Sequence, residues 1–122
     1  MNSTLPLSQI ETEVNSLNCA LDLQLRLEPR QADLFAEVFR ALSHPVRLQM
    51  LDLISQRDGE VCGCDIEQHF SLTQPTISHH LKVLRDCGLI TSQARGVWVH
   101  HRVNRQLLDA VRDLLATMRG SS

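Results

Sequence analysis

The sequence predicts a mainly α-helical protein with one small β-hairpin. Apolar residues recur three or four positions apart in several segments, which is the spacing of one face of an α-helix. Between residues 89 and 100 the spacing changes to two, which is the period of a β-strand. Prolines and glycines lie between these segments, where helices begin and end.

The order of the elements narrows the fold further. Helices are predicted at about 30–42, 45–58, 63–69 and 74–87, followed by a hairpin over 89–100 and a last helix over 105–118. Two helices joined by a tight turn form a helix-turn-helix, and a hairpin directly after them forms a wing. We therefore predict a winged helix-turn-helix domain over residues 30–118.

Residues 1–29 are predicted to form a separate N-terminal segment. Ser8 and Glu11 have the spacing of a capping box, and apolar residues with helical spacing follow up to Asn18. Leucines then alternate with other residues, so 19–29 is interpreted as an extended arm or short strand. The helices at 8–18 and 105–118 carry apolar faces suited to a second copy, so we expect a dimer. Residues 119–122 are expected to be a disordered tail.

The distribution of charge points to a DNA-binding face. The net charge is −2, but residues 1–70 hold five arginines against eleven carboxylates, giving −6. Residues 71–105 hold five basic residues against one aspartate, giving +4. A basic stretch on an acidic protein is expected of a localised DNA face, although a solvated surface gives the same pattern. Aromatic residues make up only 3%, which argues against a surface that stacks single-stranded bases.

No stretch approaches the roughly 18 to 20 apolar residues that cross a membrane. The N-terminus shows no basic leader followed by an apolar run, so we expect a cytoplasmic protein without a membrane partner. In a reducing compartment the four cysteines are expected to bind metal or sense redox state rather than to form structural disulfides.

The helix at 74–87 has two chemically different sides. On a helical wheel Ile77, Leu81 and Leu84 fall on one side, which predicts that this side is buried. The N-terminal tip and the opposite side carry candidate DNA contacts, of which the neutral ones suit base edges and the lysine suits phosphate. These candidates are Gln74, Thr76, Ser78, His79 and Lys82.

Two further residues near this helix have alternative interpretations. Arg95, at the tip of the predicted hairpin, is either an ordinary turn residue or a contact to the minor groove or to phosphate. His79 and His80 suggest a metal pair, but adjacent helical positions diverge by about 100°. DNA contact for His79 and packing for His80 are the preferred interpretations.

Several segments resemble the ArsR/SmtB family of metal-responsive repressors. The run Leu72–Arg85 resembles that family's recognition helix, and Phe39–Leu48 resembles the helix junction before it. Gly88–Ile90 and Gly96–His101 resemble its wing. The resemblance implies a homodimer that represses transcription from a palindromic double-stranded operator and dissociates when an inducer binds.

Glu60–Asp65 resembles the sensing motif of this family and contains Cys62 and Cys64. On a regular helix these two positions point about 200° apart and could not share an ion. They can share one if the first turn is non-helical, which Gly63 makes easy. Cys62 also occupies the place of an N-cap residue, so chelation would compete with the start of this helix.

Two thiolates leave a site incomplete. Glu67 stands where some arsenite sensors of the family have a third cysteine. Some relatives take ligands from the N-terminal segment of the other subunit, so Cys19 is the preferred third ligand and Cys87 the alternative. Three thiolates suit As(III) or Sb(III), with Cd(II), Pb(II) and Zn(II) as alternative inducers.

The thiols are compatible with two other functions. A redox switch would use the same thiols without a metal. A dithiol enzyme is disfavoured, because the thioredoxin spacing is Cys-x-x-Cys beside a βαβ unit, and neither feature is found. The family's second sensing position, on the last helix, is expected to be absent, since 107–118 has aspartates but no histidine.

Overall fold

A computed structural model describes residues 22–120. Its helices are α1 (Pro29–Leu42), α2 (Pro45–Ser55), α3 (Gly63–Glu67), α4 (Gln74–Asp86) and α5 (Arg105–Met118). Its strands are β1 (Val61–Cys62), β2 (Ile90–Arg95) and β3 (Trp98–Val103). The predicted helix over 8–18, Cys19, and Ser121 and Ser122 of the predicted tail lie outside the described residues.

The predicted order of helices and hairpin is confirmed, and the winged helix-turn-helix is formed by α3, α4 and the β2–β3 wing. Several boundaries differ. Helix α2 ends at Ser55 and α3 at Glu67, both earlier than predicted, and the strands run to Arg95 and Val103. Residues 22–28 form no strand, and Leu23 and Leu25 are 78% and 87% exposed, so this part is an arm.

The β-sheet has three strands rather than the two of a simple hairpin. Its order is β1-β3-β2 and both pairs are antiparallel. In β1, Val61 lies opposite His101 and Cys62 lies opposite His100. A two-residue strand is too short to show a period of two, so the sequence pattern could not reveal it. The third strand attaches the Cys62 segment directly to the wing.

The wing turns through Gly96 and Val97, because Arg95 and Trp98 are the last paired residues of its two strands. Gly96 has φ +65°, a conformation that glycine adopts without a steric penalty. Arg95 therefore ends β2, immediately before the turn, rather than lying at the tip as predicted. Val97 is 92% exposed at the tip itself.

The core forms between α1, α2, α4 and the sheet. Ile77, Leu81 and Leu84 are buried, as the helical wheel predicted. They pack against apolar residues that the other four helices and the sheet turn toward the interior. These include Val38, Met50, Ile54, Val61, Ile66, Leu89, Ile90 and Val111.

Asn104 connects the end of α4 to the start of α5. Its side chain caps α5 by accepting from the Leu107 amide at 3.3 Å, and donates to the Gly88 carbonyl at 2.8 Å. Its backbone amide donates to the Leu89 carbonyl at 2.9 Å. Gly88 has φ +90°, which lets the chain leave α4 in the left-handed conformation common after helices.

Candidate nucleic-acid interface and thiol site

Helix α4 begins where its sequence directs it to begin. The Thr73 hydroxyl accepts from the Thr76 amide at 3.4 Å, which satisfies one of the free N–H groups at the helix start. Pro75 lies in the first turn, where its missing N–H costs nothing. The helix is therefore fixed by residues next to it in the chain.

The outer face of α4 gathers the predicted DNA contacts. All five candidates on this helix are exposed: Gln74, Thr76, Ser78, His79 and Lys82. Gln74 donates to the Ser78 hydroxyl at 3.2 Å, and Lys82 pairs with Asp86 at 2.5 Å. The pair with Lys82 lowers the pKa of the Asp86 carboxyl. This face offers neutral hydrogen-bonding groups near the N-terminus and a cation farther along.

His80 packs inside rather than facing out, as predicted. Its ring is 7% exposed, lies 4.5 Å from the His44 ring, and contacts Arg47 at 3.3 Å from Nη1 to Nδ1. Burial lowers the pKa of His80, and His44 and Arg47 lower it further. A neutral ring is thereby favoured at the junction of α2 and α4.

Arg95 is engaged by a partner from a distant part of the chain. Its Nε and Nη2 donate to the two carboxylate oxygens of Glu60 at 2.6 and 2.9 Å. This bidentate ion pair is the main cause that lowers the pKa of Glu60 and raises the pKa of Arg95. Glu60 lies 35 residues earlier, so no local sequence pattern could have identified it as a partner.

Cys62 and Cys64 meet at the start of α3. Cys62 is the N-cap residue, as predicted, with extended backbone angles of φ −67° and ψ 139°. Its sulfur accepts from the Cys64 amide at 3.2 Å. The structure joins the two sulfurs as a disulfide, so reduction of that bond would leave two thiols side by side. The extended N-cap explains this, because it turns Cys62 toward the side of Cys64.

Cys87 is separate from this pair. Cys87 is half-buried at the end of α4, and its thiol donates to the Leu84 carbonyl at 3.3 Å. Burial raises the pKa of Cys87, which disfavours the thiolate that a metal requires. Across residues 22–120 no group of three or more histidine, cysteine or acidic side chains could hold a metal ion.

His101 is a buried polar residue that sequence reasoning missed. It is 3% exposed, and its Nδ1 lies 2.8 Å from the Ser92 hydroxyl on the neighbouring strand. A Cβ placed on Gly63 would lie 3.7 Å from its Nε2 and 3.2 Å from the Val99 carbonyl oxygen. Residues 62–64, here called the cysteine turn, are thus packed closely on β3. The alternation of β3 was the only sequence signal that could have assigned His101 to the inner face.

A groove of about 320 Å³ joins the two candidate sites. It lies between α3, α4 and the wing, and is lined by Gly63, Glu67, Gln74, Ser78 and Trp98 among others. The turn that contains the cysteines and the outer face of α4 therefore border the same space.

Comparison with known proteins decides the family. Residues 44–92, which run from the start of α2 to β2, match the family described as bacterial regulatory protein, arsR family. The arsenical resistance operon repressor of Staphylococcus xylosus is 42% identical over 74 residues, covering 61% of this chain and 69% of that repressor. The chain belongs to the arsR family.

Relatives within the arsR family differ in what their names state. The transcriptional repressor SdpR of Bacillus subtilis is 35% identical over 71 residues, covering 58% of this chain and 77% of that protein. Family membership therefore establishes a transcriptional repressor and leaves the inducer to be argued from this chain's own residues.

Solved structures agree with the fold. The homodimeric winged helix-turn-helix DNA-binding domain from Mycobacterium bovis superposes with a TM-score of 0.60 at 26% identity, covering 80% of this chain and 88% of that domain. These relatives and this fold are those of DNA-binding regulators and not of enzymes. Within residues 22–120, no helix is both long and apolar enough to span a membrane.

Proposed function

We propose that this arsR-family repressor is a homodimer that binds a palindromic operator and dissociates from it when As(III) or Sb(III) binds. Cys62, Cys64 and Cys19 from the partner subunit are the proposed ligands. The observation that carries the proposal is the meeting of the Cys62 and Cys64 sulfurs at the start of α3. Gly63 between them lines the same groove as the outer face of α4.

DNA recognition is assigned to α4 and the wing. Gln74, Thr76, Ser78 and His79 are proposed to read base edges, because neutral donors and acceptors on an exposed helix suit the major groove. Lys82 and Arg95 are proposed to contact phosphate. Such contacts position the protein without reading sequence.

Chelation would act through the helix start. The Cys62 sulfur accepts the Cys64 amide, so drawing that sulfur into a metal site, after reduction of the disulfide, would remove an N-cap contact of α3. Helix α3 is the first helix of the helix-turn-helix, and Glu67 borders the groove beside Gln74. A shift of α3 would therefore change the surface offered to DNA.

The chemistry of the donors favours a trivalent metalloid. Three thiolates fit the trigonal-pyramidal geometry of As(III) or Sb(III), whose lone pair takes the fourth direction. Cd(II), Pb(II) and Zn(II) remain alternative inducers, although structural zinc prefers four ligands. The names of the staphylococcal and other arsenical resistance repressors support the metalloid.

Dimerisation is assigned to the terminal helices. Helix α5 carries an apolar face whose outer members, Leu115 and Met118, are 50% and 59% exposed. A partner subunit that covers these residues would remove apolar surface from water. Deleting residues 1–18 should weaken the dimer, and an equally tight dimer in sedimentation would refute a role for the N-terminal helix.

The test begins by selecting a binding sequence from a randomised pool of duplex DNA. The reduced protein is then titrated onto that duplex with As(III), Sb(III), Cd(II), Pb(II) or Zn(II) in parallel. As(III) or Sb(III) should release the DNA at the lowest concentrations. Cys62→Ser and Cys64→Ser should bind DNA but fail to respond, whereas Cys87→Ser should respond like the parent.

The cross-subunit ligand is tested with mixed dimers. Cys19→Ser should weaken the response to As(III), and mixing it with Cys62→Ser should restore one complete site in each heterodimer. A Cys19→Ser variant that responds normally while Cys87→Ser does not would assign the third ligand to Cys87 instead.

The disulfide favours one second candidate, a repressor switched by thiol oxidation. Oxidation of Cys62 and Cys64 to the disulfide would pass two electrons and two protons to an oxidant such as a peroxide. Release of DNA by peroxide, reversed by a dithiol and unaffected by As(III), would support this candidate over the metalloid sensor.

A further inference from the structure

Glu60, which precedes β1 and Cys62, forms an ion pair with the wing. Its carboxylate holds both Nε and Nη2 of Arg95, at 2.6 and 2.9 Å. Its side chain is only 18% exposed, whereas that of Arg95 is 52% exposed. The acid is therefore set into the surface and the arginine remains accessible from solvent.

Other basic groups surround the same carboxylate. His100 Nδ1 lies 3.9 Å from Glu60 Oε2, and Arg102 lines the same small cavity as Glu60 on this side of the sheet. Because Arg102 is a cation on strand β3, Glu60 offsets positive charge along the wing and not at Arg95 alone.

The geometry of the pair is the geometry that arginine uses for phosphate. A guanidinium binds a carboxylate or a phosphate through two parallel N–H donors, and one pair of donors cannot serve both. Arg95 must release Glu60 before it can take a phosphate through Nε and Nη2. We propose that Glu60 is an internal competitor of the DNA backbone, which occupies the wing arginine in the free protein and yields it on binding.

This inference rests on the proposed function in one respect, the assignment of Arg95 to DNA. It also extends that function, because Glu60 is followed directly by β1. Val61 and Cys62 pair with His101 and His100, so movement of Cys62 reaches both Glu60 and the wing. A ligand on Cys62 that holds Glu60 against Arg95 lowers the affinity for DNA without any change in α4.

The experiment measures binding to a random-sequence duplex over a range of salt concentrations. Glu60→Gln keeps the shape of the side chain and removes its charge. We expect it to tighten binding about 3- to 10-fold at low salt, because Arg95 then reaches a phosphate without first breaking an ion pair. Asp58→Asn is the matched control, because it changes the net charge equally while its partner is Arg105, outside the wing.

The control and a double variant distinguish this mechanism from general electrostatics. Asp58→Asn should change affinity less than about twofold. In an Arg95→Gln background, Glu60→Gln should have no larger effect than Asp58→Asn. Equal effects of the two acidic substitutions, or a full Glu60→Gln effect without Arg95, would overturn the proposal. Circular dichroism and a second variant, Glu60→Ala, guard against misfolding of the first.

A second arm uses the selected duplex with and without As(III). Glu60→Gln should reduce the ratio of the two dissociation constants, because part of the penalty imposed by the ligand is removed. If the parent protein does not respond to As(III), the metalloid sensor fails while the random-duplex result still decides the role of Glu60. An unchanged ratio in a responsive protein would refute the link between Glu60 and the cysteines.

Discussion

Helix α4 and the cysteine turn lie side by side, yet their structures have different origins. Helix α4 is built from neighbours in the sequence, with a cap from Thr73, a proline in its first turn and an ion pair between Lys82 and Asp86. The cysteine turn depends on partners about 35 to 40 residues away. Its strand pairs with β3, and Glu60 pairs with Arg95.

This difference determines where a disturbance travels. A local change at the start of α4 alters mainly the helix itself, because the Thr73 cap and Pro75 lie in the same segment. A change in the cysteine turn necessarily moves residues of the wing, because they share a β-ladder. The proposed sensing region is thus coupled to the wing by its own folding.

The largest change in stability is expected from a substitution on the buried side of α4. Leu84 is fully buried, so Leu84→Ala should lower the free energy of unfolding by about 2 to 5 kcal/mol. Leu48→Ala, at a leucine that is 51% exposed, should change it by only about 0.5 kcal/mol. Urea denaturation measures both, and similar losses would contradict the burial of this face.

The next effect concerns the sheet beneath the cysteine turn. Burial, with smaller contributions from Arg85 and His100, lowers the pKa of His101 from 6.5 to about 4. Above pH 6.5 the ring is neutral in both states, and as the pH falls from 6.5 toward 4 the unfolded chain binds a proton that the folded chain refuses. The free energy of unfolding should therefore fall by up to about 3 kcal/mol as the pH drops from 6.5 to about 4.

Denaturation at several pH values checks this slope. His101→Gln, which can still bond to Ser92, should flatten most of it, and His80, whose pKa is also lowered by burial, should keep a smaller remainder. The exposed His69 provides the control, since His69→Gln should retain the full slope. A slope that survives in His101→Gln would assign the pH dependence elsewhere.

The smallest changes in free energy are expected from substitutions on the exposed side of α4, and they concern DNA binding. Thr76→Ala and His79→Ala should each weaken binding to the selected duplex by about 1 to 3 kcal/mol, which is the contribution of a base contact. Both residues are exposed, so the melting temperature should stay near that of the parent. Gln56→Ala, exposed at the end of α2, should affect neither quantity, and normal binding by both variants would remove α4 from the DNA interface.

The sequence predicted what depends on local periodicity. Helix α5 has the predicted limits, Arg105 to Met118, and Ile77, Leu81 and Leu84 are buried on the predicted side of α4. Even the N-cap role of Cys62 followed from its spacing before Asp65.

What escaped prediction depends on contacts between distant residues. Strand β1 has only two residues and acquires its identity from β3. The partner of Arg95 and the burial of His101 likewise follow from the way the wing folds back on the cysteine turn. Local sequence patterns carry no information about such pairings. The free energy of closing a loop changes only slowly with its length, so sequence separation does not identify the partner.

Asn104 has a consequence for how operators of different lengths could be recognised. Through its side chain and backbone it bonds to Gly88, Leu89 and Leu107, so the end of α4 and the start of α5 form one rigid corner. In the proposed dimer held by α5, that corner would set the separation of the two α4 helices, which would have to match half-sites about 34 to 36 Å apart. Under the proposed function, base preference would be determined by the exposed face of α4, whereas half-site spacing would be determined by the corner. The two properties can therefore diverge independently, one by substitutions on α4 and the other by changes at this single junction.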